Sequence, residues 1–269
     1  MHRFYLPPAQ CKGRDLLLTG DEAHHALRVL RLRRQEQVTV LDGAGAELLC
    51  EVGDCSRDQI RLSVRQRNLV AALPWQITLM QALPKGKIIE SLIQKATELG
   101  VYRIVTLLSE RVSTRLDPAE AAQKADKWQR VAIEAIKQCG TPWLPKIEPP
   151  VTPDQFLQRK EPFDLQLVAS LQPGSRHARE YFRAFLREHG RPPQSACVWV
   201  GPEGDFTPAE ITAIQAAGAL PITLGRWVLR SETAAICCLS ILNHEFQSPA
   251  PEAGSLPLQS SIISIAPEP

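Results

Sequence analysis

No run of eighteen or more apolar residues occurs in the 269-residue chain, which leaves no segment that reads as a membrane-spanning helix. The opening Met-His-Arg-Phe-Tyr-Leu-Pro-Pro lacks the apolar centre of a signal peptide, so a cytoplasmic protein with no membrane partner is expected. Cys-x-x-Cys pairs are absent, and the seven cysteines are odd in number and scattered. That usage argues against a disulfide framework and against a structural zinc site, so no metal is expected. Cys139, Cys237 and Cys238 fall among apolar neighbours in expected helices and read as inert core thiols. Neither a Gly-x-Gly-x-x-Gly run nor a Walker sequence is present. The loops that cradle dinucleotides and nucleoside triphosphates are therefore missing.

What is present begins with enough apolar residues, 44%, to bury one large core or two modest ones. The net charge of +2 is unevenly spread. Residues 1–115 hold 17 Lys and Arg against 12 Asp and Glu, whereas residues 116–269 hold 14 against 17. A basic first half is the footprint of a polyanion partner, and a solvated basic face is the plainer alternative.

From Leu16 to Val70 the pattern is short alternating segments, Gln37 to Leu41, Glu47 to Val52 and Gln59 to Val64, with turn signals at Asp42-Gly43 and Ala44-Gly45. These predict hairpins in a small β-barrel domain over residues 1–73. Within it, residues 21–34 read as a short helix and its exit, carrying His24, His25, Arg28, Arg31, Arg33 and Arg34. Guanidinium groups pair bidentately with phosphate and stack on bases, which suits RNA; a solvated helix face stays open. Beyond Pro74 strands alternate with helices. Strands are expected at Trp75 to Leu83, Val101 to Leu108, Leu165 to Ser170, Ala196 to Val200 and Leu220 to Leu224. Helices are expected at Gly86 to Leu99 and from Asp117 to about Cys139, and the alternation implies an α/β domain over 74–247 with a mostly parallel sheet. Residues 248–269, rich in Pro, Ser and Ala, read as a mobile tail, with Leu258 to Ile265 able to pair as an edge strand.

Two loops carry the chemistry. After Val198-Trp-Val comes Gly201-Pro-Glu-Gly204-Asp205, where the glycines remove bulk and permit positive φ, and Thr207-Pro-Ala-Glu210 then reads as a capped helix start. A second loop, Gly225 to Arg230, leads to Ser231, a candidate N-cap. An ordinary tight turn is the plainer reading of either loop alone, but adjacent strand-end loops suit one ligand pocket.

In this order the chain also carries His25-x-x-Arg28-Val-Leu-Arg31, Gln94-Lys-Ala-Thr-Glu-Leu-Gly-Val101, Ser109-Glu-Arg111, Ala132-Ile-Glu-Ala-Ile-Lys-Gln-Cys-Gly140, Gly201-Pro-Glu-Gly204 and Leu229-Arg-Ser-Glu-Thr-Ala234. With these motifs, over residues 1–247, it resembles the RsmE family of bacterial ribosomal RNA methyltransferases in the SPOUT superfamily. The resemblance implies a PUA-like RNA-binding barrel followed by a SPOUT domain with a C-terminal trefoil knot, working as a homodimer. It implies S-adenosylmethionine as cofactor and N3 of a uridine in small-subunit (16S) ribosomal RNA, naked or in the small ribosomal subunit, as acceptor. The cofactor would lie against Gly201, Glu203, Gly204, Leu224, Gly225, Leu229, Arg230, Glu232, Thr233 and Ala234. Candidates for moving the imide proton or stabilising the uracil anion are Glu98, Arg111, Arg230 and Glu232, with Glu98 also read as an ion-pair partner of Arg103 or Arg111. Candidate RNA contacts are His25, Arg28, Arg31, Arg33, Lys85 and Lys87.

Departures from the family pattern are Asp205 for a glycine, Gly225-Arg-Trp227 for Gly-Pro-Arg, Ser231 for threonine, Thr141 for arginine and Gln35-Glu36 for Gly-Asp. Asp tolerates left-handed backbone and Ser keeps a hydroxyl, whereas losing proline beside Gly225 relaxes that loop. Two other readings stay open: a ribose 2′-O-methyltransferase of the same superfamily, and a non-catalytic RNA-binding or ribosome-assembly factor.

Overall fold

Residues 1–248, except 87, 115, 171 and 173, are described by the structure, a computed structural model. Lys87 and the expected tail strand Leu258 to Ile265 lie outside the described residues.

The N-terminal sheet contains β1 (His2–Tyr5), β2 (Asp15–Leu18), β3 (Gln37–Leu41), β4 (Ala46–Cys55) and β5 (Ile60–Leu69), in the order β1-β3-β4-β5-β2. Its core is the alternating apolar set, with Phe4, Leu16, Val38, Val40, Leu48, Val52, Ile60 and Leu62 packed together. The pairing is antiparallel except that β1 runs parallel to β3. The predicted 42–45 turn forms: Asp42 Oδ1 accepts from the amides of Ala44 (2.7 Å) and Ala46 (2.8 Å), with Gly43 and Gly45 at φ 76° and 101°. Between β2 and β3 lies α1 (Gly20–His24), which widens at once into a π-helical turn over His25–Val29, closed by the Leu30 amide on the His25 carbonyl at 3.0 Å.

The second sheet is parallel throughout, built from β6 (Gln76–Ala82), β7 (Arg103–Leu107), β8 (Lys146–Val151), β9 (Leu165–Ala169), β10 (Ser195–Val200) and β11 (Leu220–Ile222) in the order β11-β9-β10-β6-β7-β8. Helices α2 (Ile88–Glu98), α3 (Pro118–Cys139), α5 (Ala178–His189) and α7 (Ser231–Gln247) cover one face, around Leu79, Ile93, Ala132, Val198 and Leu239. The helices α4 (Pro153–Leu157) and α6 (Pro208–Ala216) cover the other, around Trp199, Phe156, Phe206 and Ile214. Burial on both faces explains why these strands read as continuous apolar runs. Strand β8 and helices α4 and α5 are not among the elements expected above. In β8 the segment Glu148-Pro-Pro interrupts the apolar run, yet Glu148 is buried, bonded to Arg103 (3.3 Å), Lys146 (3.0 Å) and Arg159 (2.7 Å).

Several expectations are corrected here. Arg103 pairs with Glu148 and Glu161, and Arg111 with carbonyls, so neither holds Glu98, which is exposed at the end of α2. Cys139 is exposed at the last residue of α3, because Gly140 ends the helix in the left-handed conformation, φ 85°. Cys238 is buried and its thiol is pushed up by desolvation. Among the described residues no helix is long and apolar enough to cross a membrane.

The two sheets are joined by specific contacts. The Arg3 guanidinium caps α3, donating to the carbonyls of Lys137 (3.2 Å) and Gln138 (3.0 Å). The Lys137 ammonium is bound by Glu22 of α1 at 2.8 Å and by Glu134 at 2.9 Å. The 42–45 turn docks on residues 142–144, with the Gly45 amide on Pro142 O and the Leu144 amide on Gly43 O, both 3.0 Å.

Candidate active site

A cavity of about 290 Å³ opens at the carboxyl ends of β9, β10 and β11. That is where ligands bind in open parallel sheets. One wall is the loop after β10, Gly201 to Asp205; the other runs from Leu224 through Gly225 and Leu229 to Arg230, Ser231 and Ala234. Ala169 and Ser170 close the floor from β9.

The first loop owes its shape to one glycine and one aspartate. A Cβ at Gly201 would lie 2.9 Å from Asp205 Oδ1 and 3.1 Å from the Phe206 amide, so only glycine fits that approach. The positive φ falls on Asp205, at 61°, and not on Gly201 or Gly204 as the glycine spacing predicts. Asp205 steadies itself by accepting the Phe206 amide on Oδ1 at 2.8 Å. Gly225, at φ 113° with nothing within 4 Å of a Cβ, is needed for backbone alone.

Three neighbouring elements hold this loop. The Glu203 carboxylate accepts the Lys85 amide at 3.1 Å, tying it to the turn after β6. The Arg111 guanidinium, from the turn after β7, donates to the carbonyls of Gly204 and Phe206. Glu210 closes the predicted capping box with Thr207 and turns its second oxygen to the Glu110 amide at 2.9 Å. Ser231 is not the N-cap of α7, which is Arg230 with no side-chain cap bond. Its hydroxyl instead donates to Gly201 O at 2.5 Å and accepts from Gln81 Nε2 at 2.9 Å. The buried Ser231 hydroxyl thus bonds the Gly201 carbonyl and not its own helix, and it joins the two walls.

Of the residues expected around a cofactor, Gly201, Glu203, Leu224, Gly225, Leu229, Arg230 and Ala234 line the cavity. Gly204 lies just outside it, and Glu232 and Thr233 sit in the first turn of α7 without lining it. Among the proton-transfer candidates Arg230 lines the cavity, Glu232 is two residues away and Arg111 grips the adjoining loop. Glu98 does not line the cavity: α2 starts after the carboxyl end of β6 and runs back along the sheet, so that its exit, where Leu99 O accepts from Asn243 of α7, lies toward the opposite end of the strands. Sequence reasoning missed Ala169, Ser170, Trp227 and Val228. The strand-end rule applied to β9 points to the first two; Trp227 and Val228, 76% and 77% exposed, form an apolar rim that only loop geometry reveals.

The RNA candidates fall in two groups. Arg28, Arg31 and Arg33 are exposed on the π-helical turn and its exit, and His25 is half-buried with its ring 6.4 Å from Phe4. Arg31 itself adopts φ 54°. Lys85 is exposed beside Glu203 at the cavity mouth. Among the described residues no group of His, Cys, Asp and Glu is arranged to hold a metal ion.

Known families match both halves. An RNA methyltransferase domain matches residues 71–243, and an RNA methyltransferase PUA domain matches residues 18–65. Ribosomal RNA small subunit methyltransferase E of Synechocystis is 33% identical over 250 residues, 92% of this chain and 78% of that protein. The Bacillus subtilis protein of the same name is 30% identical over 229 residues, 85% of this chain and 89% of its own. Among solved structures, a Legionella pneumophila methyltransferase in complex with S-adenosylmethionine superposes with a TM-score of 0.80 at 33% identity, covering 90% of this chain and 96% of the other. The Neisseria gonorrhoeae ribosomal RNA small subunit methyltransferase E, bound to S-adenosylmethionine, gives 0.78 at 28% identity, covering 91% and 97%.

Proposed function

This chain belongs to the ribosomal RNA small subunit methyltransferase E family, and from that premise we propose that it methylates N3 of a specific uridine in small-subunit (16S) ribosomal RNA, using S-adenosylmethionine. The observation that carries the reading is the cavity between the 201–205 and 224–231 loops. Its volume is near the lower end of small-molecule sites, about 300 Å³, and it is lined mainly by apolar side chains and close backbone. Such a lining fits an adenine and a thioether-like chain better than a triphosphate, which needs a phosphate cradle that this loop lacks.

The cofactor supplies an electrophilic methyl group. The chain's own residues must place the uracil edge in line with it, remove the imide proton and stabilise the resulting anion. Arg230, an exposed residue of the cavity lining with no ion-pair partner among the described residues, suits the anion-stabilising role. Glu232 is the nearest carboxylate on α7 for the proton, and Arg111 acts through the Gly204 loop. RNA reaches the site from Lys85 at the mouth and from the Arg28, Arg31 and Arg33 cluster of the N-terminal module.

The division into an RNA-binding unit over 1–73 and a catalytic unit over 74–247, the trefoil path, the homodimer and the cytoplasmic setting belong to the same proposal. For the path, α7 returns from the edge strand β11 to pack on α2, β6 and β10, passing the loop after β10. For the dimer, α7 leaves Ile236, Cys237 and Ile241 only partly covered.

The test is to incubate the protein with S-adenosylmethionine and small ribosomal subunits from a strain lacking this modification, then map the product by nuclease digestion and mass spectrometry. N3-methyluridine in 16S RNA is expected. Methyl on a ribose would move the reading to the 2′-O class, and no incorporation together with no cofactor binding would leave an RNA-binding factor.

A further inference from the structure

Strand β6 contains a buried polar side chain near its carboxyl end: Gln81 is fully buried and is not among the residues that line the cavity. In register it sits beside Val200 of β10, which lines the cavity, and Thr106 of β7. Side chains at paired positions share a face, so Gln81 lies directly alongside the cavity wall. Its Nε2 donates to Ala82 O at 2.8 Å and to Ser231 Oγ at 2.9 Å, while its Oε1 has no hydrogen-bond partner among the described residues. Burying an amide costs unless it is bonded, so those two donated bonds are what hold the polar group there.

The direction of the bonds matters. A serine hydroxyl carries one proton and can rotate to give it to any acceptor nearby, whereas an amide nitrogen only donates. With Gln81 Nε2 filling one lone pair of Ser231 Oγ, the hydroxyl proton is left to the Gly201 carbonyl, at 2.5 Å. Gly201 and Ser231 stand on opposite walls of the cavity. Resting on the cofactor reading above, we propose that Gln81 is a positioning residue: through the Ser231 hydroxyl it holds the two cofactor loops at one separation without touching the cofactor. The same short polar chain ties β6, the start of α7 and the loop after β10 into one unit.

The experiment is calorimetric titration with S-adenosylmethionine at a temperature where every variant is folded by circular dichroism. Gln81→Met, which keeps length and removes the donor, is expected to raise the Kd about tenfold, the equivalent of one net hydrogen bond. Ser231→Ala is expected to do the same, Ser231→Thr to bind more tightly than Ser231→Ala, and the double variant Gln81→Met with Ser231→Ala to be no weaker than the worse single. Hydrogen exchange of amides 203–206 is expected to accelerate in Gln81→Met while amides of β7 keep the parental rate. Parental affinity in Gln81→Met, or additive losses in the double variant, overturns the proposal. Should Gln81→Met not fold, parental affinity in Ser231→Ala overturns it equally. If the parent protein binds no cofactor, the functional reading falls, and parental exchange in the loop of Gln81→Met then decides against the positioning role by itself.

Discussion

Asp205 shows how a single side chain takes over a role the pattern assigns to its neighbours. The two glycines of the first loop are legible as markers of close backbone approach, and Gly201 has that role against Asp205 and Phe206. The left-handed turn itself falls to Asp205, whose carboxylate bonds the next amide. A string of residue types shows that a tight loop is present but not which residue bends, because φ is settled by the bonds each candidate finds. Arg230 is the residue at which this scale yields a kinetic prediction. Its backbone caps α7 whatever its side chain, so Arg230→Ala should leave the helix intact while removing a cationic side chain from the cavity lining. The expected result is a fall in kcat of roughly 10²-fold, typical of losing one donor to a developing anion. Steady-state methylation checks it; a change confined to KM for RNA would assign Arg230 to substrate binding instead.

Elements with a strong local code are readable in advance. The capping boxes Asp117 with Glu120 and Thr207 with Glu210 form as their spacing predicts, because both partners lie within four residues. Strand β8 is hidden because its ladder of bonds comes from β7 and its buried Glu148 is matched by arginines and a lysine from three separate positions. The join between β9 and β10 has the same character. Asp164, next to β9, accepts two bonds from Arg191 (2.8 and 3.0 Å) and the amide of Gln194 (2.6 Å), just before β10. The hydrogen bond from Arg191, supported by the amides of Gln194 and Ser195, brings its carboxyl down to about 2. A carboxylate held below its ordinary value of about 3.9 contributes stability that is complete above that value. The contribution is lost as pH falls from about 4 toward 2. Urea midpoints of the parent and of Asp164→Asn, measured between pH 6 and pH 2 (about the range of carboxylate titration), should differ at the upper end and converge at the lower. A constant gap across that range would show that the acid sensitivity lies elsewhere.

For the whole molecule, the placement of the N-terminal β module relative to the parallel sheet is set by contacts that join residues more than a hundred positions apart, such as Lys137 with Glu22. The Gly45 turn belongs to the same docking surface. A Cβ there would meet the Trp143 ring at 2.5 Å while φ stays at 101°, so Gly45→Ala is expected to cost stability by about 1–3 kcal/mol, read by urea denaturation. Function at this scale is read from salt. Replacing Arg28, Arg31 and Arg33 by alanine should weaken RNA binding and lower the slope of log K against log salt by about 0.7–0.9 for each phosphate no longer neutralised. An unchanged slope would place the RNA path off this cluster.

Composition, strand and helix periodicity and capping spacings are properties of neighbours along the chain, and they sufficed to determine an α/β region behind a basic β-rich module; the class of the cofactor came with the family resemblance that the ordered motifs carry. Tertiary structure alone decided that Ser231 serves Gly201 and Gln81 in place of its own helix, that Glu203 grips the Lys85 turn, and that Glu98 does not line the cavity. The physical reason is that a polar group takes whichever partner the packed strands and loops bring within about 3 Å, and local spacing carries no record of that choice.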